Sequence, residues 1–248
     1  MKKQDIKAEI AFFNKAVIQG RVETASNELY EQVFFRIKPY LGDNIMEAGC
    51  GSGAFGQRIK REKPQASLIG VDLTPAMIDL AGKKKIYDSL FCKNIEDETV
   101  FVKEKFDTIV CPYLLHHLPS IQHVTNNFYK WLKPGGYLII IDPNGSNLVL
   151  KFSYILRLII MKIFIIQNNF ASVNEKNKSI SEFMFYLNNY KLKSVNTFFY
   201  NHKRSRSSHQ ASLLLYVFSL VRQEILKLYS YLPFIPFGGS DLIIVAKK

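Results

Sequence analysis

The stretch MEAGCGSGAFGQRI, residues 46–59, sets glycines at positions 49, 51, 53 and 56 between a short apolar run and a segment of helical periodicity. Glycine loses more chain entropy on folding than any other residue, so four of them between two regular elements indicate a tight turn or a ligand lying close to the backbone. The spacing Gly51-x-Gly53-x-x-Gly56 fits the fingerprint of a loop between a first strand and a first helix that binds dinucleotides. By itself it points only to an adenosine-containing ligand.

Outward from this loop the pattern repeats as strand, turn and helix. NIMEA (44–48) reads as a buried strand, AFGQRIKRE (54–62) as a helix, ASLIGVD (66–72) as a strand, and PAMIDLAGKKK (75–85) as a helix with Pro75 in its first turn. DSLFCKN and FDTIVCPY then read as strands, VTNNFYKWL as a helix and GYLIIID as a strand. Continuous apolar runs separated by amphipathic helices predict a parallel sheet covered on both faces, a doubly wound α/β fold. Ligands in such folds sit beyond the carboxyl ends of the strands, near the switch point. The glycine loop falls there, and so does Asp72, an acid at the end of the second strand that could accept hydrogen bonds from ribose hydroxyls.

From about Leu41 to Asp142 the sequence resembles the class I S-adenosylmethionine-dependent methyltransferases. The first motif of that family stands as Glu47-Ala48-Gly49-Cys50-Gly51-Ser52-Gly53, the second as GVDLTPAMIDLA, the third as CKNIED, the fourth as FDTIVCPYLLHHL, and the turn before strand five as LKPGG. The resemblance implies a seven-stranded, mostly parallel sheet with an antiparallel last strand, helical lid insertions, and S-adenosylmethionine as methyl donor. It gives Asp72 the ribose hydroxyls, Leu73 an apolar contact with the adenine, Asn94 the exocyclic adenine amine, Ile95 a packing face and Cys111 the methionine segment. Asn94 stands where an aspartate is common, and its side-chain oxygen can still accept from that amine.

The donor is a sulfonium cation with a zwitterionic tail, so a carboxylate at Glu47 beside the glycine loop favours it. The same carboxylate would repel the pyrophosphate of a nicotinamide dinucleotide. Methyl transfer needs alignment of the nucleophile and, for a hydroxyl acceptor, removal of its proton. His116 and His117, just after strand four, are candidates for that base because histidine titrates near neutrality, and Tyr113 is a further candidate. Each could instead brace the loop or wall the pocket. His202 and His209 fall in a polar stretch after strand six. Cys111-Pro112-Tyr113-Leu114 departs from the Asn/Asp-Pro-Pro-aromatic stretch used on base or glutamine amines, which leaves an oxygen, carbon or nitrogen of a smaller molecule.

The 248 residues, 48% hydrophobic and 13% aromatic, can bury a substantial core. Cys50, Cys92 and Cys111 show neither metal-ligand spacing nor a disulfide framework, which predicts a reducing compartment. With no export signal in the first residues, a cytoplasmic location is expected. A net charge of +12 attracts nucleic acid, anionic lipid or acidic substrates. The tight basic clusters, Lys83 to Lys85 and Lys203, Arg204 and Arg206, have little aromatic interleaving, which argues against specific nucleic-acid binding.

Four segments are expected: an N-terminal helical cap (1–41), a donor-binding core (42–145), a helical lid (146–190), and strands six and seven (191–248) flanking a helical insertion (205–240). SNLVLKFSYILRLIIMKIFIIQNNF interrupts an apolar helix with Lys151, Arg157 and Lys162, and neither it nor ASLLLYVFSLV offers the 18 or so uncharged residues of a membrane span. Two readings of this apolar material stay open: a lid packed over the pocket, or a surface for a lipophilic substrate or a membrane. Phe12, Phe13 and Tyr30 could close the same pocket. The expectation is a methyltransferase for a small lipophilic or aromatic acceptor. An RNA methyltransferase and a non-catalytic donor-binding regulator are the alternatives.

Overall fold

The computed structural model describes residues 5–20, 27–163, 172, 174–200, 221, 224, 225 and 239–248, with backbone alone for 27–30, 153, 154, 157, 158 and 160–163. His202, His209, the side chain of Tyr30 and most of the expected 205–240 insertion lie outside the described residues.

Helices α1 (Ile6–Ile18) and α2 (Asn27–Ile37) precede β1 (Asn44–Ala48), α3 (Ala54–Glu62), β2 (Ser67–Asp72), α4 (Pro75–Gly82) and β3 (Ser89–Cys92). Then follow β4 (Phe106–Pro112), α5 (Gln122–Trp131), β5 (Leu132–Pro143), α6 (Leu148–Ile163), α7 (Ile180–Asn189), β6 (Lys193–Tyr200) and β7 (Asp241–Lys247). The strands form one sheet in the order β3-β2-β1-β4-β5-β7-β6, with β7 antiparallel to both neighbours and β1 to β5 parallel.

Alternation along the strands divides the core into two layers. Met46, Ile69, Ile109, Leu138 and Ile140 face α5 and α7, where Phe128, Trp131, Phe183 and Leu187 cover them. Ile45, Leu68, Val110, Ile139 and Val245 face α2 and α3, packing on Phe34, Ile37, Phe55 and Ile59. Because both faces are covered, the parallel strands are apolar at successive positions rather than alternate ones.

Two boundaries differ from the sequence reading. The LKPGG segment is part of β5 rather than a turn before it. Gly135 takes φ +79° and the β4–β5 register shifts between Phe106 and Thr108, so the segment is absorbed as an irregularity in the ladder. Helix α4 stops at Gly82, before the three lysines.

The switch point lies between β1 and β4, since the chain winds from β1 toward β3 and then crosses back to β4. The loops beyond these two strands are 49–53 and 113–118. They meet directly: a Cβ on Gly49 would stand 3.0 Å from the Leu114 Cβ. The glycine loop and the histidine loop are therefore two sides of one crevice.

Candidate functional site

The four glycines have different tasks. Gly49, Gly51 and Gly53 all take positive φ, at +72°, +49° and +77°. A Cβ on Gly56 would collide with the Tyr87 hydroxyl and come within 2.5 Å of Glu47 Oε2, and one on Gly53 would stand 3.1 Å from side-chain atoms of Lys84 and Tyr87. Only Gly51 of the four faces open space. Most of the loop's glycines therefore accommodate the protein itself, and the bare approach to the backbone narrows to Gly51.

Glu47, at the end of β1, is fully buried. The Tyr87 hydroxyl donates to its Oε2 at 2.7 Å, while Oε1 has no hydrogen-bond partner. Burial raises the Glu47 carboxyl to about 8, against the pull of Tyr87 and with Asp72 adding to the rise. The sequence suggested a standing negative charge here. Burial instead favours the protonated form of Glu47 at neutral pH.

Asp72 Oδ2 accepts from the Gly51 N–H at 2.9 Å and Oδ1 from the Thr74 N–H at 2.8 Å. Burial raises its pKa and these amides oppose the rise. Two amides leave a carboxylate with lone pairs to spare, so ribose hydroxyls can still be accepted. Leu73 is half-buried beside it. The Asn94 side-chain oxygen accepts from the Glu96 N–H at 3.0 Å, Ile95 is buried, and its carbonyl accepts from Asn127. Cys50 is buried, with its N–H bound to the Val71 carbonyl. Cys111 is wholly enclosed in the core layer with Met46 and Ile109, so its side chain serves packing and presents no surface to the crevice.

On the opposite wall, His116 Nδ1 and Asp142 Oδ1 are 2.7 Å apart, both buried. Burial pushes the Asp142 carboxyl well up, and its Oδ2 is unpartnered. His117 stacks on His116 with ring centroids 4.0 Å apart, and the Phe13 ring meets it edge-on at 5.2 Å. His117 Nδ1 lies 3.0 Å from Ser172 Oγ and 3.1 Å from Glu9 Oε1. His117 Nδ1 thus sits between a hydroxyl and a carboxylate, and the direction of the Ser172 hydrogen bond follows the tautomer of the ring. Tyr113 has left-handed backbone, φ +52°, and its hydroxyl pairs with that of Tyr200 at 2.8 Å. This directs Tyr113 toward β6.

Glu9 was not singled out from the sequence. It is a buried carboxylate on α1, with Oε2 accepting from Asn174 at 2.8 Å. Burial pushes it up, but the bonds from His117, Ser172 and Asn174 win and hold it below the usual range. A single acid in a helix gives no periodic signal. Lys178 is buried with its ammonium donating to the Leu118 carbonyl at 2.7 Å, and burial lowers its pKa.

Two carboxylate oxygens around the crevice, Glu47 Oε1 and Asp142 Oδ2, are thus buried without a hydrogen-bond donor, while Glu9 Oε1 has His117 Nδ1 beside it at 3.1 Å. His117 acts electrostatically on three carboxyls of this region, Glu9, Asp72 and Asp142. In a chain of net charge +12, this is a local acid excess. Buried acceptors without donors cost about 1–3 kcal/mol each, more when charged, so the arrangement favours a cationic, donor-rich ligand.

Comparison with known proteins agrees. Residues 46–138 match the family model described as a methyltransferase domain. Malonyl-[acyl-carrier protein] O-methyltransferase of Priestia megaterium is 35% identical over 97 residues, 38% of this chain and 35% of that protein. Ubiquinone biosynthesis O-methyltransferase of Coxiella burnetii is 32% identical over 109 residues, 42% of this chain and 45% of that protein. The matched segment thus spans less than half the length of these curated relatives. A S-adenosylmethionine-dependent methyltransferase from Archaeoglobus fulgidus superposes with a TM-score of 0.60 at 23% identity, covering 90% of this chain and 95% of that one, a likeness of fold.

Proposed function

From the premise that residues 46–138 form a class I S-adenosylmethionine-dependent methyltransferase domain, we propose that the chain methylates a small lipophilic or aromatic acceptor. The observation that carries the donor assignment is the unpaired, buried Glu47 Oε1 beside the open face of Gly51. Glu47 would meet the donor's ammonium, Gly51 its closest backbone approach, and Asp72 its ribose, with Leu73, Asn94 and Ile95 around the adenine. Bound there, the donor supplies a methyl carbon activated by a positively charged sulfur.

The chain's own residues align the acceptor and, for a hydroxyl, take its proton. Of the three candidates, His117 is favoured as base. Its Nδ1 is held by Ser172 and Glu9, which leaves Nε2 to receive a proton, and its field reaches Asp72 across the crevice. His116, tied to Asp142, supports the ring stacked on it. Tyr113 walls the acceptor side. The lipophilic character of the acceptor is supported by the ubiquinone-biosynthesis relative and by the apolar helix that follows β5.

The test is a thermal shift with S-adenosylhomocysteine set against NAD. At 100 times its dissociation constant a native-state ligand adds about 2.7 kcal/mol. A rise of several degrees with S-adenosylhomocysteine and none with NAD is expected. The reverse would end the donor assignment.

A further inference from the structure

Helix α6 leaves the end of β5 shortly after Asp142, the residue that holds His116. Its side chains Leu148, Phe152, Ile155, Leu156 and Ile159 are all exposed, Phe152 by 71%. At 100° per residue these positions share an arc of about 100°, the width of a face that is ordinarily buried. Scattered exposed apolar residues need no explanation, but five on one face of one helix do.

Charge decides the occupant. The 16 residues of α6 include Lys151, Arg157 and Lys162 and no acid. Helical register sets positions 151 and 162 along one border of the apolar arc. An apolar face bordered by cations is the arrangement of helices that lie in the headgroup region of an anionic bilayer. A second copy of the chain would bring the same cations, on a molecule of net charge +12, against themselves. At roughly 24 Å the helix lies along a bilayer rather than through it, and no helix among the described residues is long and apolar enough to cross one.

We propose that α6 docks the protein on an anionic phospholipid surface. The inference rests on the reading of the crevice as a site for a lipophilic acceptor, because docking through α6 would set the crevice beside the layer in which such an acceptor dissolves.

The test is flotation with vesicles of phosphatidylglycerol and phosphatidylcholine at 1:1, and with phosphatidylcholine alone. Thermal shift with S-adenosylhomocysteine is followed in parallel. The full chain is expected to float with the mixed vesicles only. Lys151→Gln and Lys162→Gln should each weaken partition by roughly fivefold. The triple change Phe152→Ser, Ile155→Ser and Ile159→Ser should weaken it by on the order of a hundredfold or more. All variants should keep the ligand shift, since none of these residues is among those assigned to the donor. Protein that stays at the bottom with its ligand shift intact overturns the docking and leaves the methyltransferase reading standing. Equal flotation with neutral vesicles overturns the anionic assignment. Conversion of a solution dimer to monomer by the triple change would give the face to a second copy and overturn the proposal as well.

Discussion

At the scale of single residues, Glu47 and its glycines make the sharpest expectations. A carboxyl raised to about 8 when folded, against 4.5 unfolded, is protonated in the native state across that interval. The folded state then binds more protons than the unfolded one, so the Glu47 contribution is full below about 4.5 and is lost as pH rises through about 8. Glu47→Gln keeps the shape without the titration. The variant should gain stability relative to the parent as pH goes from 5 to 8, by several kcal/mol at most, and chemical denaturation at fixed pH measures it. Donor affinity should move oppositely. A bound cation favours ionised Glu47, so affinity rises with pH up to about 8 in the parent, and calorimetry on Glu47→Gln should find weaker binding without that slope. The glycines separate packing from ligand approach. Gly56→Ala drives a methyl into the Tyr87–Glu47 hydrogen bond and should cost about 2–4 kcal/mol of stability. Gly51→Ala meets only its φ of +49°, roughly 1 kcal/mol, yet should lower S-adenosylhomocysteine affinity at least about tenfold.

Among the elements, α1 is unusual in what it buries. Its fully buried residues are Glu9 and Ala16, so a carboxylate lies on the docked face among half-buried apolar side chains, and the helix packs against α4. Removing residues 1–20 should therefore shift Tm by only a few degrees and weaken S-adenosylhomocysteine binding about tenfold. Unchanged affinity would reduce α1 to an accessory. Glu9, held below the usual range, stabilises the docked helix above the ordinary glutamate pKa, and that contribution is lost as pH falls through the lowered value. The deletion should lack this acid-sensitive component. Elements also show why some of the molecule was legible beforehand. NIMEA and AFGQRIKRE coincide with β1 and α3 residue for residue because hydrophobic period and glycine punctuation agree there. The LKPGG boundary was misplaced because a bulge within a strand uses the same residues as a turn between two. The placement of the candidate residues beyond the strand ends was legible where chain-local motifs set it, at Glu47, Gly51, Asp72 and the histidines. It was not legible where tertiary contact does: Tyr87 reaches Glu47 and Glu9 reaches His117 across long stretches of sequence with no local pattern.

For the whole molecule, the contrast between a basic body and an acidic crevice separates three interactions by their response to salt. A net charge of +12 repels itself, and a Debye length shrinking from about 30 Å at 0.01 M to about 8 Å at 0.15 M screens that repulsion, so added salt should raise Tm by a few degrees. On the proposed reading donor binding relies on Glu47 and Asp72 inside the fold, where ions penetrate little, so its affinity should change by less than about threefold over the same range. The proposed attachment of α6 to anionic vesicles draws on its cationic residues and should fall steeply. Tm, S-adenosylhomocysteine affinity and vesicle partition measured along one salt series are thus expected to rise, hold and drop in turn. A donor affinity that fell in step with vesicle partition would mean that the ligand is held by the exposed surface rather than by the buried carboxylates, and the electrostatic account of the crevice would fail.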